Sequence, residues 1–421
     1  MKKIQTRSNI NARVKIPGSK SITHRALITA GLAEGQSRLE SFLECEDTLY
    51  TLKALREMGI KIELSGDVAF VAGNNGIFRA FNEKKEIFLG NSGTSYRLLL
   101  SVAALGKGEY IFKGSPRMNS RPIGDLVKAL KSLGVVTDCL EREGFPPVSI
   151  KANGIKGGSI RISGSISSQY ISSLLLSAPY SRTPVEIEIE GPLVSRPYVD
   201  ITLDVMKAFG LSVVQDGYSF FRIPSGNCYK CRDYTIDGDV SSASYFWGAA
   251  AITQGRITTD NIHHDTTRQG DIAFLDILGK MGCYIEREKG FVVINGAPLS
   301  GVNVDMGSMP DMVPTLAAIA IFARGKTNIY NVPHLRHKES DRIRDTATEL
   351  RKVGAKVEEL EDGLIIHGGQ RLSGAEIDPH NDHRIAMSLA MVGLKVPGVK
   401  IRNEDCVNKS FPKFWDLWGE L

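Results

Sequence analysis

Leu52-Lys53-Ala54-Leu55-Arg56-Glu57-Met58-Gly59 is the stretch whose reading decides the fold. Its apolar residues recur at i, i+3 and i+4, and it ends on a glycine followed by a strand-like run. Glycine just past an amphipathic helix is the left-handed cap, so the stretch reads helix, cap, strand. The same pattern ends again at Gly134, Gly210, Gly282 and Gly354, at intervals of 75, 76, 72 and 72 residues. Repetition at a near-constant period signals repeated supersecondary units.

A second kind of helix alternates with the first, at 25–32, 97–105, 170–176, 245–252, 315–322 and 385–392. Glycines follow most copies, at positions 35, 108, 255, 325 and 398, with Ser181 after the third. These helices are apolar nearly all round and are expected inside the domains, with the lysine- and arginine-bearing helices outside. Six units of two helices and several strands imply two α/β domains of three units each. The sixth outer helix, at 414–418 and followed by Gly419, has no strand after it, and residues 2–5 are expected to supply the missing one. The expected C-terminal domain is therefore residues 1–18 with 238–421, and the N-terminal domain 19–237, with crossings near Gly18 and Gly238.

Composition narrows the function. A chain of 421 residues exceeds one ordinary core, while 42% hydrophobic and 24% charged residues describe a soluble globular protein. The net charge of +5 is too small for a nucleic-acid stripe but suits small anions. The N-terminus has no apolar core of signal-peptide length, and the longest nearly apolar run, 312–323, is too short to span a membrane. Six cysteines in a chain of this length need no disulfide framework, which points to a reducing cytoplasm.

Chemistry concentrates at strand-to-helix junctions. His337-Lys338-Glu339-Ser340-Asp341-Arg342 lies between a strand-like segment, 327–332, and a helical one, 342–353. Lys338 and Arg342 are four apart and are expected to share a helix face, with Glu339 beside them. Small polar or charged residues likewise open each buried helix: Ser19-Lys20-Ser21, Asn91-Ser92-Gly93-Thr94, Ser167-Ser168-Gln169, Ser241-Ser242, Asp311, and Asn381-Asp382-His383-Arg384. Capping accounts for one such residue per helix but not for Lys20, Arg25, Arg97 and Arg384 beside the same termini. Backbone donors with arginine hold phosphates and carboxylates, so a substrate pair with several anionic groups is expected. Other motifs fail. Gly18-Ser19-Lys20-Ser21 lacks the glycines of a phosphate-binding loop, Cys228-Tyr229-Lys230-Cys231 is one pair without a second, and His263-His264 has no metal-ligand pattern. Neither a metal nor an organic cofactor is expected.

Taken together, these segments resemble the 5-enolpyruvylshikimate-3-phosphate synthases of the enolpyruvyl transferase family. The likeness runs from Pro17-Gly18-Ser19-Lys20-Ser21 to Asn408-Lys409-Ser410-Phe411-Pro412, through Pro116-Arg117-Met118, Arg121-Pro122, Ser195-Arg196-Pro197-Tyr198, Gly238-Asp239, Pro310-Asp311 and Lys338-Glu339. It implies two domains, each of three repeated βαβαββ units around buried parallel helices, an inside-out α/β barrel, with the active site in the interdomain cleft. It further implies that Lys20, Ser21, Arg25, Ser167, Ser168, Gln169, Ser195, Tyr198, Asp311 and Lys338 bind shikimate 3-phosphate. Lys20, Asn91, Gly93, Thr94, Arg121, Gln169, Arg342, Arg384 and Lys409 would bind phosphoenolpyruvate, with Lys20, Asp311 and Glu339 as catalytic candidates. The implied enzyme is a cytoplasmic monomer acting on small molecules, with no nucleic-acid or membrane partner, and a glyphosate target. This sequence departs from the pattern at His334, where many relatives have an asparagine contacting the shikimate phosphate. Leu98 stands where some glyphosate-sensitive relatives have proline, and Asp125 where a second group has arginine.

Two other readings compete. The related transferase that loads enolpyruvate onto UDP-N-acetylglucosamine shares the fold but usually carries a cysteine in an arginine-rich loop. Only Cys139 is placed for that role, in a strand pattern beyond the motif. A non-catalytic repeat protein binding anions or RNA would also use basic helix ends. It would not need Asp311 and Glu339 among the cations, since carboxylates weaken anion binding.

Overall fold

The glycines that end the outer helices have φ between 81° and 121° at Gly59, Gly134, Gly210, Gly282 and Gly354. They close Glu46–Glu57, Gly124–Ser132, Pro197–Ala208, Phe274–Met281 and Arg342–Lys352. Residues with a Cβ are strained at such φ, so the spacing of these glycines records a backbone requirement. Gly419 differs from the expected cap, because it is the last residue of the helix Phe414–Gly419.

The structure is a computed structural model describing all 421 residues. One repeat shows the rest. The strand Gly158–Ser163 leads into the buried helix Ser168–Ser177, and the chain returns as Val185–Glu190 in parallel register. The outer helix Pro197–Ala208 follows, then the hairpin Val214–Asp216 and Phe220–Ile223, whose second strand pairs antiparallel with Val185–Glu190. In Val185–Glu190 the apolar side chains Val185, Ile187 and Ile189 are buried and Glu188 and Glu190 exposed, the alternation of a sheet with one wet face. Five sheets have this four-stranded order, and a sixth has three strands.

The chain forms two compact units, one of Met1–Pro17 with Asp237–Leu421 and one of Gly18–Ile236. In the first unit Asn11–Lys15 pairs parallel with Arg256–Asp260, and Lys2–Lys3 pairs antiparallel with Lys400–Ile401 to complete the three-stranded sheet. In the second, Asp233–Thr235 pairs parallel with Glu34–Glu40. Each unit therefore takes the first strand of its first repeat from a distant part of the chain.

Within each unit the buried helices run parallel, because equivalent levels meet. In Gly18–Ile236, Thr94 touches Gln169 near the helix starts, and further along both helices in the same direction Ser101 Oγ lies 2.7 Å from Ser173 Oγ. In the other unit one hydroxyl from each of three helices meets, Ser244 with Thr315 at 3.4 Å and Thr315 with Ser388 at 3.1 Å. Parallel packing brings the positively polarised N-termini of each unit's helices to one end. The charged side chains of interest lie at that end.

Candidate active site

In the unit Gly18–Ile236, Lys20 opens the helix Lys20–Leu32 and its Nζ lies 3.0 Å from Asp47 Oδ2. Asp47 is buried in the first turn of Glu46–Glu57, so Lys20 is held by a carboxylate rather than left to solvent. Arg25 is buried one turn further along and donates to Thr202 Oγ1 at 2.7 Å, the Ser21 carbonyl at 2.8 Å, the Tyr198 carbonyl at 3.1 Å and Ser172 Oγ at 3.2 Å. All four acceptors are neutral. Burial lowers the Arg25 pKa to about 10, yet the guanidinium stays charged at neutral pH. A buried cation among neutral oxygens is a strong attractor for an anionic ligand.

A second group forms at the next two helix starts. Gln169 Nε2 donates to Thr94 Oγ1 at 3.1 Å, and Gln169 Oε1 accepts from Arg97 Nη1 at 2.8 Å. Ser167 caps the helix that carries Ser168 and Gln169 by accepting from the Gln169 amide at 3.3 Å. Arg121 donates to the Asn91 carbonyl at 3.4 Å, and its guanidinium presses on Gly93, where a Cβ would sit 2.7 Å from Cζ. A side chain at 93 would therefore displace the Arg121 guanidinium from its place. Ser195, at a φ of 53°, turns the chain so that its carbonyl accepts from the Tyr198 amide at 3.1 Å.

In the other unit Arg342 is the centre. Its Nε donates to Asp382 Oδ2 at 2.7 Å, Nη1 to Asp311 Oδ1 at 2.7 Å and Nη2 to Glu339 Oε2 at 2.8 Å. Asp311 bridges onward, its Oδ2 accepting from Arg384 Nη2 at 2.7 Å. Burial alone would raise the Asp311 pKa, but Arg384, Arg342 and Lys338 outweigh it and hold the carboxyl well below the usual range. Lys409 is buried at the end of the turn Glu404–Lys409, which packs on the helix carrying Arg384. No group of three or more His, Cys, Asp or Glu side chains is arranged to hold a metal.

The expected shared face of Lys338 and Arg342 needs correction. A 3-10 turn, Pro333–His337, follows the strand Lys326–Tyr330, and Lys338 beyond it is extended. The helix begins only at Arg342, because Asp341 caps it by accepting from the Arg344 amide at 3.1 Å. Helical spacing therefore does not relate Lys338 to Arg342. Glu339 reaches Arg342 from the short segment between this turn and the helix. His334, in the same turn, has its pKa lowered to about 4 by burial and then by Lys338, so it is neutral, and its buried Nε2 has no partner.

Several participants escaped the sequence reading: Asp47, Ser172, Thr202, Asp271, and the roles of Ser241 and Asp382. Asp47 looks like an ordinary first-turn acid and Asp382 like a helix cap, which it also is, accepting from the Arg384 amide at 3.0 Å. Nothing local marks either as the partner of a cation elsewhere in the chain.

Two three-repeat α/β units, with arginines, lysines and interleaved carboxylates at the starts of buried parallel helices, are the architecture of a class of α/β enzymes that take anionic substrates. The sequence profile of EPSP synthase (3-phosphoshikimate 1-carboxyvinyltransferase) matches residues 4–418. A 3-phosphoshikimate 1-carboxyvinyltransferase of Vibrio vulnificus (strain YJ016) is 45% identical over 421 residues, 99% of this chain and 98% of the relative. One of Sulfurovum sp. (strain NBC37-1) is 45% identical over 411 residues, 97% of this chain and 96% of that one. The solved EPSP synthase of Acinetobacter baumannii superposes with a TM-score of 0.83 at 30% identity, covering 99% of this chain and 97% of the other. The chain belongs to the EPSP synthase family. Its activity is transfer of the enolpyruvyl group of phosphoenolpyruvate to the 5-hydroxyl of shikimate 3-phosphate, releasing phosphate, in the shikimate pathway to the aromatic amino acids. No helix is long and apolar enough to cross a membrane.

Proposed function

We propose that Arg25, with Ser21, Ser167, Ser168, Ser195 and Tyr198, holds shikimate 3-phosphate, and that Arg121, Arg342, Arg384 and Lys409, with Asn91, Gly93 and Thr94, hold phosphoenolpyruvate. Lys20 and Gln169 serve both substrates, and Asp311 and Lys338 bind shikimate 3-phosphate. The observation that carries this reading is the Asp311 bridge, 2.7 Å from Arg342 and 2.7 Å from Arg384, with Glu339 on the other Nη of Arg342. A site built only to bind anions would exclude carboxylates. Their presence suits a reaction that also moves protons.

In the first step the 5-hydroxyl oxygen of shikimate 3-phosphate bonds to C2 of phosphoenolpyruvate, its proton leaves, and the C2–C3 π pair takes a proton at C3. In the second, the C2–O bond to phosphate breaks, C3 loses a proton and the double bond re-forms. The hydroxyl proton ends, in net, on the phosphate. Asp311, kept anionic by its arginines, orients the hydroxyl, while Glu339 and Lys20 exchange protons with the methylene and the leaving group. The arginines counter the carboxylate and phosphate charge throughout. Each unit completes its own apolar core, which supports a monomer, and all six cysteines are free, which supports the cytoplasm.

Steady-state phosphate release tests the division of substrates. Arg25→Ala should raise the KM for shikimate 3-phosphate by at least about tenfold with little change for phosphoenolpyruvate, and Arg121→Ala should do the reverse. Equal effects of both variants on both substrates would reject it.

A further inference from the structure

One buried carboxylate beside the proposed site has no part in the roles above. Asp271 lies in the 3-10 turn Gly270–Ala273 and is 5% exposed, and its Oδ2 accepts the hydroxyl of Ser241. Ser241 belongs to the first turn of the helix Val240–Thr253, and its Oγ lies 3.4 Å from Arg384 Nη2. That nitrogen is the one that donates to Asp311 at 2.7 Å. A continuous chain of contacts thus runs from Asp271 through Ser241, Arg384 and Asp311 to Arg342.

Capping does not explain Asp271. The same helix start is already served by Asp239 Oδ1, which accepts from the Ser242 amide at 2.8 Å, and by Gln269 Oε1, which accepts from the Val240 amide at 3.1 Å. Asp271 instead meets a side-chain hydroxyl. Serine has one hydrogen to give, and the direction of that hydrogen decides what its oxygen presents to Arg384. Donated to a carboxylate at 271, it leaves only lone pairs facing the guanidinium. If Asp271 were the donor, the serine hydrogen would have to turn away from it, and Arg384 would lose its rest.

We propose that Asp271 is a positioning residue for the enolpyruvyl transfer: as a carboxylate it takes the Ser241 hydrogen, turns the Ser241 oxygen to Arg384, and so fixes that guanidinium beside Asp311 for phosphoenolpyruvate. This rests on the reading of Arg384 as a phosphoenolpyruvate residue. The charged groups facing Asp271 are Asp311 from the turn Pro310–Met312, Arg384 from the helix His383–Gly393, and Asp239 at the start of Val240–Thr253. Burial first and Asp311 second raise its pKa to about 7 against the pull of Arg384. Below that pH Asp271 holds a proton and Arg384 is loosened. Above it the carboxylate forms and Arg384 is fixed, so kcat/KM for phosphoenolpyruvate should gain a rising limb through neutrality.

The test compares Asp271→Asn, Ser241→Ala, the double variant and Arg384→Lys by steady-state kinetics across neutral pH, with melting curves as a folding control. Asp271→Asn should raise the KM for phosphoenolpyruvate about tenfold, the scale of one lost charge-assisted hydrogen bond, with kcat and the KM for shikimate 3-phosphate nearly unchanged. It should also flatten the limb near neutrality. Ser241→Ala should match it, and the double variant should be no worse than either single one, because the two act in series. Should Asp271→Asn misfold, Ser241→Ala still decides: it must raise the phosphoenolpyruvate KM and flatten the limb. A wild-type KM and pH profile in the folded single variants, or additive losses in the double, would overturn the role of Asp271. An unchanged phosphoenolpyruvate KM in Arg384→Lys would instead overturn the reading of Arg384, and the inference with it.

Discussion

Glu339 Oε2, 2.8 Å from Arg342 Nη2, has two roles open to it, and they predict different losses. As an ion-pair partner alone it keeps Arg342 in place, and an amide of the same shape would mostly weaken ligand binding. As a proton carrier to the methylene carbon it loses its function in the amide even with binding intact. We expect Glu339→Gln to bind shikimate 3-phosphate almost normally by calorimetry while turnover falls at least about a hundredfold. Deuterium uptake from solvent into the methylene group of phosphoenolpyruvate should slow in parallel. Unchanged exchange with weaker binding would return Glu339 to a structural role. Lys20 needs a paired control for the same reason of charge balance. Asp47, 2% exposed, loses the Lys20 contact in Lys20→Met, so the effect on turnover is clean only beside Lys20→Met with Asp47→Asn.

At the scale of the element, the helix ends show which glycines are required by backbone and which by space. Gly59 has a φ of 99° and nothing within 4 Å of where a Cβ would stand, so substitution there is resisted by conformation alone. Gly59→Ala should lower stability by about 1 kcal/mol in urea unfolding, and Gly59→Asn by less, since asparagine tolerates the left-handed region better. An Ala variant as stable as the parent would show that the cap is not held in this conformation. Gly93 is the contrasting case. Its φ is not left-handed, and a Cβ there would meet the Arg121 guanidinium, 2.7 Å away at the end of a flexible side chain, so a substitution would move that cation rather than strain the backbone. One glycine serves the helix and the other serves the site.

Across the whole molecule, the beginning of the chain is built into its end. Ile4 is 8% exposed, its amide donates to the Val399 carbonyl at 3.1 Å, and a Cβ on Gly393 would lie 2.5 Å from its own Cβ. The unit of Met1–Pro17 with Asp237–Leu421 is therefore closed by a segment more than two hundred residues away in sequence. Ile4→Ala should cost about 2–4 kcal/mol, as for other buried truncations. Hydrogen exchange should locate the loss: amides of Lys400–Ile401 and His383–Gly393 lose protection, while those of Glu34–Glu40 and Val68–Asn74 keep theirs. Equal loss in both units would show that they unfold as one.

What the sequence determined by itself was local and repetitive. A glycine one step past an amphipathic helix needs only its own φ, and five of them at nearly constant spacing revealed the repeat, the inner and outer helices and the two α/β domains. The sixth, Gly419, fell inside its helix because only the φ, and not the residue type, defines a cap. Arg25, Arg342 and Arg384 stood out as cations near helix starts, but their partners did not. Arg25 meets Thr202, Arg342 meets Asp382, and Arg384 meets Asp311 and Ser241, each joining different repeats, while Arg342 also meets Asp311 from the far end of its own repeat. Helical spacing even suggested the wrong geometry for Lys338 and Arg342, since Asp341 starts the helix after Lys338, which is extended. Caps and periodicity are settled within a few residues of backbone, whereas an ion pair between repeats exists only once parallel helices have stacked and brought their N-termini to one end.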